Sequence, residues 1–340
     1  MSAEPSIPIK AVFMGSDSIA VPFLEEWRIS MSDTVRLDTV ITQPDRPSGR
    51  GKHVTPNAIK TWASSRGIPV IQPENPSIDL PDLISINQWE LAVVMAYGHI
   101  LSKPLLGCFP KGCFNLHASL LPELRGPSPI ETSIAIGSSC TGVTLMEMVS
   151  KLDAGPIIDR EHCPILPETD GPALRSALAT SCIPLMQRNM NRLGNQSYPS
   201  YPQDESRASY CRLLTKRDAI LDFTLPADAV LNHIRAFRSW PGSTFEFNGV
   251  PLKIGHATVF DDPGCEVSHA VPGTMISDPS SIRIRTADKW LSILSIQKPG
   301  SRMMPTPDFL RGFRLPASVN LPFDPSMPLV GSKPFRFTKK

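Results

Sequence analysis

A chain of 340 residues, 41% hydrophobic and 19% charged, is too long for one hydrophobic core and too apolar for a disordered protein, so two globular domains are expected. The net charge of +2 hides an asymmetry: residues 1–206 hold 16 Lys and Arg against 21 Asp and Glu, the remainder 18 against 11. A basic second half points to a polyanionic partner.

The first ten residues carry neither a secretory signal nor an Arg-rich transit pattern, and a strand begins almost at once, which reads as cytoplasmic. Ile9–Met14 is a short apolar strand ending at Gly15, and Ser18–Ser30 has helical spacing. Leu37–Thr42 is a second strand, followed by the loop Q-P-D-R-P-S-G-R-G-K-H. Pro56–Arg66 reads as helix, and Ile68–Ile71, Leu91–Ala96, Phe114–His117 and Gly142–Met148 read as strands, with helix Pro129–Ile136 between the last two. Apolar runs bounded by Gly and Pro and alternating with helices predict an α/β fold: a doubly wound, mostly parallel sheet. Such sheets bind ligands outside the carboxyl ends of their strands. Leu174–Arg192 is a helix expected to break or kink at Pro184. Residues 194–211, polar and rich in turn formers, read as a linker between a first domain (1–193) and a second (212–325). There, helix Ala227–Phe237 precedes strands Thr244–Phe247, Leu252–Phe260, Thr274–Ser277, Ser281–Thr286 and Trp290–Gln297, a small barrel or sandwich. Residues 326–340 form a proline-rich basic tail.

Some chemistries are excluded. The seven cysteines are scattered without a C-x-x-C pair, and the histidines lack metal-ligand spacing, so no metal is assigned. No apolar run of about 18 residues occurs, so no membrane partner is expected. Gly15-Ser16-Asp17 follows the first strand without G-x-G-x-x-G, so NAD is not expected.

One segment carries chemistry. Asn115 and His117 lie two apart at a strand end, so their side chains share a face. An amide donor beside an imidazole suits amine attack on a carbonyl, where charge builds on oxygen and protons move between nitrogens. Asp153, in the loop S-K-L-D-A-G-P after the next strand, could supply a carboxylate to that ring. From the residues alone, a histidine satisfied structurally at a strand end is an equal reading.

The run N-L-H-A-S-L-L-P-E-L-R-G-P-S-P-I from Asn115 closely resembles the signature of the folate-dependent formyltransferases, N-x-H-x-S-L-L-P followed by R-G-x-x-P. The resemblance implies catalysis by Asn115, His117 and Asp153, the last within L-D-A-G. It also implies reduced-folate contacts from Ser119, Leu120, Leu121 and Pro122, with 10-formyltetrahydrofolate as formyl donor. The loop Thr42 to Lys52 is similar to the tRNA-contacting loop of that family's methionyl-tRNA branch. This implies tRNA contacts from Arg46, Arg50 and Lys52, and methionyl-initiator tRNA as acceptor. The likeness continues through A-I-L-D-F-T-L-P-A, H-I-R-A-F-x-x-W-P-G and V-P-L-K-I-G-H-A, implying an oligonucleotide-binding-like C-terminal β-barrel that binds tRNA. Arg283, Arg285, Lys289, Lys298 and Arg302 are candidates for that contact. A relative with another acceptor, or a formyl-folate hydrolase, is the alternative, and a monomer is expected. His99, after Tyr97-Gly98, departs from the family's apolar residue there and reads as local structure or part of the folate mouth.

Overall fold

The computed structural model describes residues 7–48, 53–261 and 270–335. The chain divides into two compact units. The first comprises Met1–Pro129, Cys140–Pro164 and Arg175–Tyr210, and the second Ile130–Ser139, Ile165–Leu174 and Cys211–Lys340.

The first unit is built on a seven-stranded sheet. Its strands are β1 (Ile9–Met14), β2 (Val35–Ile41), β3 (Val70–Ile71), β4 (Leu91–Val94), β5 (Cys113–His117), β6 (Cys140–Glu147) and β7 (Ile157–Pro164). Their order is β3-β2-β1-β4-β5-β6-β7, parallel up to β5 and antiparallel beyond it. The L-A-V-V of β4 is buried along its whole length, as a central strand covered on both faces requires. Register aligns Ile71, Ile41, Met14, Val94 and Asn115 in one row, so the following residues of each parallel strand leave from one edge. There the backbone of Ser16 donates to Ala96, and the Gln43 side chain donates to the Tyr97 carbonyl. A Cβ at Gly15 would lie 2.4 Å from the Met95 carbonyl oxygen, so only glycine allows that approach.

Two expectations change here. β7 was not foreseen, because D-R-E-H gives it a polar, edge-type pattern with alternate residues exposed. The long helix α1 (Gly171–Gly194) is not broken at Pro184, which lies inside it.

Segment 194–211, read as a linker from its polarity, is largely structured. Tyr201 exchanges both backbone hydrogen bonds with Ile157 of β7, and Ser209 pairs through its backbone and hydroxyl with Arg125 and Leu124. Several of its polar side chains, typical of a solvated connector, bond elsewhere: Ser200 to Glu147, Gln203 to Asp153, Arg207 to Glu123 and Ser209 to Leu124. Segments 130–139 and 165–174, expected in the first domain, belong to the second unit, and for 165–174 the reason is local. Arg235 donates to the Leu166, Pro167 and Thr169 carbonyls, and Arg238 pairs with Asp170 at 2.6 Å.

The second unit holds helix α2 (Ala227–Ala236) and strands β8 (Ser243–Phe247), β9 (Val250–Phe260), β10 (Thr274–Ser277), β11 (Ile282–Arg285), β12 (Trp290–Gln297) and β13 (Ser318–Asn320). All pair antiparallel in the order β8-β9-β12-β11-β10-β13. Among the described residues no pairing joins β8 to β13, and the sheet curls into a half-barrel, in keeping with the small barrel expected. Its concave core gathers Leu221, Phe223, Ile234, Phe245, Ile284 and Phe309, each side chain contributing about 1.5–3 kcal/mol through burial. Part of the C-terminal tail is ordered against this unit: Asp222 accepts from the Ser326 amide, and Arg212 donates to the carbonyls of Met327 and Pro328. Among the described residues no helix is long and apolar enough to cross a membrane.

Candidate active site

β5 ends at the carboxyl edge of the sheet, between β4 and β6, and its alternation sends Asn115 and His117 to one face while Phe114 and Leu116 face the other. His117 is only 7% exposed. Its Nε2 lies 3.0 Å from the Leu124 carbonyl, which can only accept, so Nε2 carries a hydrogen. Its Nδ1 faces the Oδ2 of Asp153 at 3.7 Å, an ion-pair distance too long for a hydrogen bond. The same Asp153 oxygen accepts the Gly126 amide at 2.8 Å, which aims the carboxylate. The three residues expected to share the chemistry are therefore brought together. The half-buried Asn115 amide has no hydrogen-bond partner among the described residues, unlike most polar groups around it.

Both loops that supply the ring's partners are strained. Leu124 sits at φ +57° and Asp153 at φ +46°, left-handed conformations that cost a non-glycine residue on the order of 1 kcal/mol or more. The glycine of L-D-A-G has its own reason: a Cβ at Gly155 would lie 1.7 Å from the Glu147 carbonyl oxygen. Such conformations persist only where the surroundings hold them.

The S-L-L-P segment is held from within. The Ser119 hydroxyl donates to the Glu123 carbonyl at 2.6 Å, and the Thr144 hydroxyl donates to the Ser119 carbonyl while accepting the Leu121 amide. Leu121 and Pro122 are buried, and half-buried Leu120 lies over Gly142 of β6. Thr144 was missed in the sequence, since a threonine inside a strand carries no signal of its own. In the sequence Arg125 carries no signal beyond the R-G-x-x-P motif, yet its guanidinium is 0% exposed and reaches Gln203, Glu205 and the Tyr210 hydroxyl. The hydrogen bond from Arg125, then that from Lys151, holds the Glu205 carboxyl down at about 2.

Of the basic loop, Arg46 is described: it is exposed and pairs with Glu74 at 3.1 Å, a surface pair that contributes little. Arg50 and Lys52 lie outside the described residues. The loop's base is anchored, with Asn57 donating to the Thr42 hydroxyl and Lys60 joining Asp45 to Gln72. The His99 ring lies 5.1 Å from that of Tyr97. Of the basic residues in the second unit, Arg283 pairs with Asp278, Arg285 donates to the Asp288 carbonyl and Lys289 faces Asp261. The side chains of exposed Lys298 and Arg302 have no partner among the described residues. Among these residues no group of three or more His, Cys, Asp or Glu is placed to hold a metal ion.

Comparison with known proteins gives a family model described as formyl transferase over residues 9–184, and one described as formyl transferase, C-terminal domain, over residues 213–314. The chain is 35% identical over 318 residues to a methionyl-tRNA formyltransferase of Roseiflexus sp. (strain RS-1), covering 93% of this chain and 96% of that protein. It is 36% identical over 318 residues to the protein of the same name from Roseiflexus castenholzii, covering 92% and 99%. Among solved structures it resembles an N-formyltransferase from Helicobacter canadensis in complex with folinic acid and dTDP-3-aminofucose, with a TM-score of 0.64. That likeness spans 85% of this chain and 99% of the other at 22% identity, and it bears on the fold alone.

Proposed function

The chain belongs to the formyl transferase family, and we propose that it transfers the formyl group of 10-formyltetrahydrofolate to the methionine α-amine of initiator tRNA. The observation that carries this reading is its 35% identity to a methionyl-tRNA formyltransferase across nearly the full length of both chains. The geometry around His117 agrees with it. An amine attacks as the free base, and an α-amino pKa of about 7.7 leaves much of it neutral at physiological pH. As the nitrogen adds to the formyl carbon, the carbonyl oxygen becomes negative. The unpartnered Asn115 amide meets that charge with a donor already in place. The incoming nitrogen must lose a proton and the departing folate nitrogen must gain one. Since His117 Nε2 is engaged by Leu124, Nδ1 is the ring position that takes and returns it. Asp153 faces that nitrogen and stabilises the imidazolium while it exists.

In this reading the first unit carries the chemistry, with Ser119, Leu120, Leu121 and Pro122 shaping the folate side. The loop with Arg46, Arg50 and Lys52 and the basic second unit hold the tRNA through its phosphates. The test is incubation of the protein and 10-formyltetrahydrofolate with methionyl-initiator tRNA, methionyl-elongator tRNA, an amino-sugar nucleotide, or no acceptor. Rapid formylation of the initiator alone is expected. Preference for the sugar, or equal loss of formyl-folate without any acceptor, would sink the reading.

A further inference from the structure

Both partners of the His117 ring come from strained loops, and one segment of chain holds both loops. Residues 203–210 pass beside Leu124, Arg125 and the Asp153 loop. Ser209 accepts the Arg125 amide on its carbonyl and the Leu124 amide on its hydroxyl, fixing the carbonyl that engages Nε2. Gln203 does the corresponding work on the other side. Its amide nitrogen donates to the carbonyls of Asp153 at 2.9 Å and Gly155 at 2.8 Å. Its amide oxygen accepts from the Arg125 Nε at 3.1 Å and from a terminal nitrogen of the same guanidinium at 2.8 Å. One side chain thus uses two donors and both lone pairs, joining a fully buried cation to the turn that bears Asp153. Arg125 is held in turn by Glu205 at 2.9 Å and the Tyr210 hydroxyl at 3.0 Å.

We propose that Gln203 is a positioning residue for formyl transfer: it holds the Asp153 turn in its left-handed conformation and so keeps the carboxylate opposite His117. It touches no substrate and acts only through Asp153. The chemistry favours an amide here over other side chains. A glutamate would keep its hydrogen bonds to Arg125 but would set negative oxygens against the two carbonyls. A leucine would fill the space with neither half of the clamp. Left without these donors, the turn loses what offsets its strained φ of +46° at Asp153.

The inference rests on the proposed reaction, and a double-mutant cycle separates the two. Asp153→Ala, Gln203→Ala and the double variant are assayed for formyl transfer, with kcat and both KM values measured and thermal unfolding recorded. If Gln203 acts through Asp153, Gln203→Ala lowers kcat at least tenfold with KM for formyl donor and tRNA unchanged, and it costs nothing further once Asp153 is gone. Additive losses, or a loss confined to KM, would overturn the positioning role while leaving the reaction in place. A wild-type rate for Asp153→Ala would instead remove the site assignment itself. If Gln203→Ala does not fold, Gln203→Glu carries the test, since it keeps the Arg125 contact and replaces the donors with an oxygen that repels the two carbonyls. Full activity in Gln203→Glu would refute the proposal.

Discussion

Each unit contains a histidine packed inside it, and the two are treated in opposite ways. His233 on α2 lies with its ring 4.4 Å from that of Phe237 and its Nδ1 3.1 Å from the Ser243 hydroxyl. Burial pushes it from 6.5 down to about 4, against smaller upward pulls from Asp218 and Asp222, so the surroundings keep it neutral. His117 is buried where His233 is half-buried, but one of its nitrogens faces a carboxylate presented by a strained loop, and a donor without a partner stands beside it. The difference lies in the neighbours rather than in burial. An apolar wall and a hydroxyl suit a core residue; a carboxylate and an unused amide suit the chemistry proposed for His117. Two of the left-handed non-glycine residues among those described, Leu124 and Asp153, flank His117.

The sharpest way to break this contrast is to delete both kinds of group and compare turnover. Asn115→Ala should lose roughly 10²–10³ in kcat as an oxyanion donor, and His117→Ala roughly 10²–10⁴ as a proton carrier. His233→Leu should leave kcat unchanged, and an equal loss in all three would erase the distinction.

Acid unfolding gives the next largest effect. Above pH 6.5 His233 is neutral in folded and unfolded chains alike. As pH falls from 6.5 to about 4, the unfolded chain takes up a proton that the folded one refuses, so stability declines, and below about 4 the loss is complete. Denaturation midpoints against pH should show this decline in the wild type and lack it in His233→Leu. Glu205 gives a smaller effect at lower pH, because its partners hold it at about 2 against 4.5 unfolded. Its ion pairs contribute in full above 4.5 and fade as pH falls towards 2. The stability gap between wild type and Glu205→Gln should therefore narrow below pH 4.5; a gap independent of pH would show that the charge is immaterial. The smallest effect concerns single cations on the second unit. Affinity for tRNA should fall steeply with salt, and Lys298→Ala should reduce the slope of log affinity against log salt by about one if that lysine meets a phosphate.

Some of the proposed site is legible in the chain directly, because its signals are local. Two residues at period two on a strand share a face whatever surrounds them, so Asn115 and His117 were visible together. The apolar runs of β1, β4 and β5 marked a covered sheet, and β10 and β12 agree with their sequence ranges residue for residue. Other features are long-range and had no local mark. β7 is polar at alternate positions, and the clamp built from Arg125, Gln203 and Glu205 joins residues about eighty apart in the chain.

The sequence by itself determined the kinds of group available to the chemistry, the α/β architecture and the basic second half. These depend on composition, periodicity and short motifs, which survive without any partner. Only the tertiary structure decided which nitrogen of His117 is engaged and that Asp153 faces the other. It also turned an apparent linker into the strap that holds both loops. A hydrogen bond between residues far apart has no local signature, because its partner is chosen by the fold.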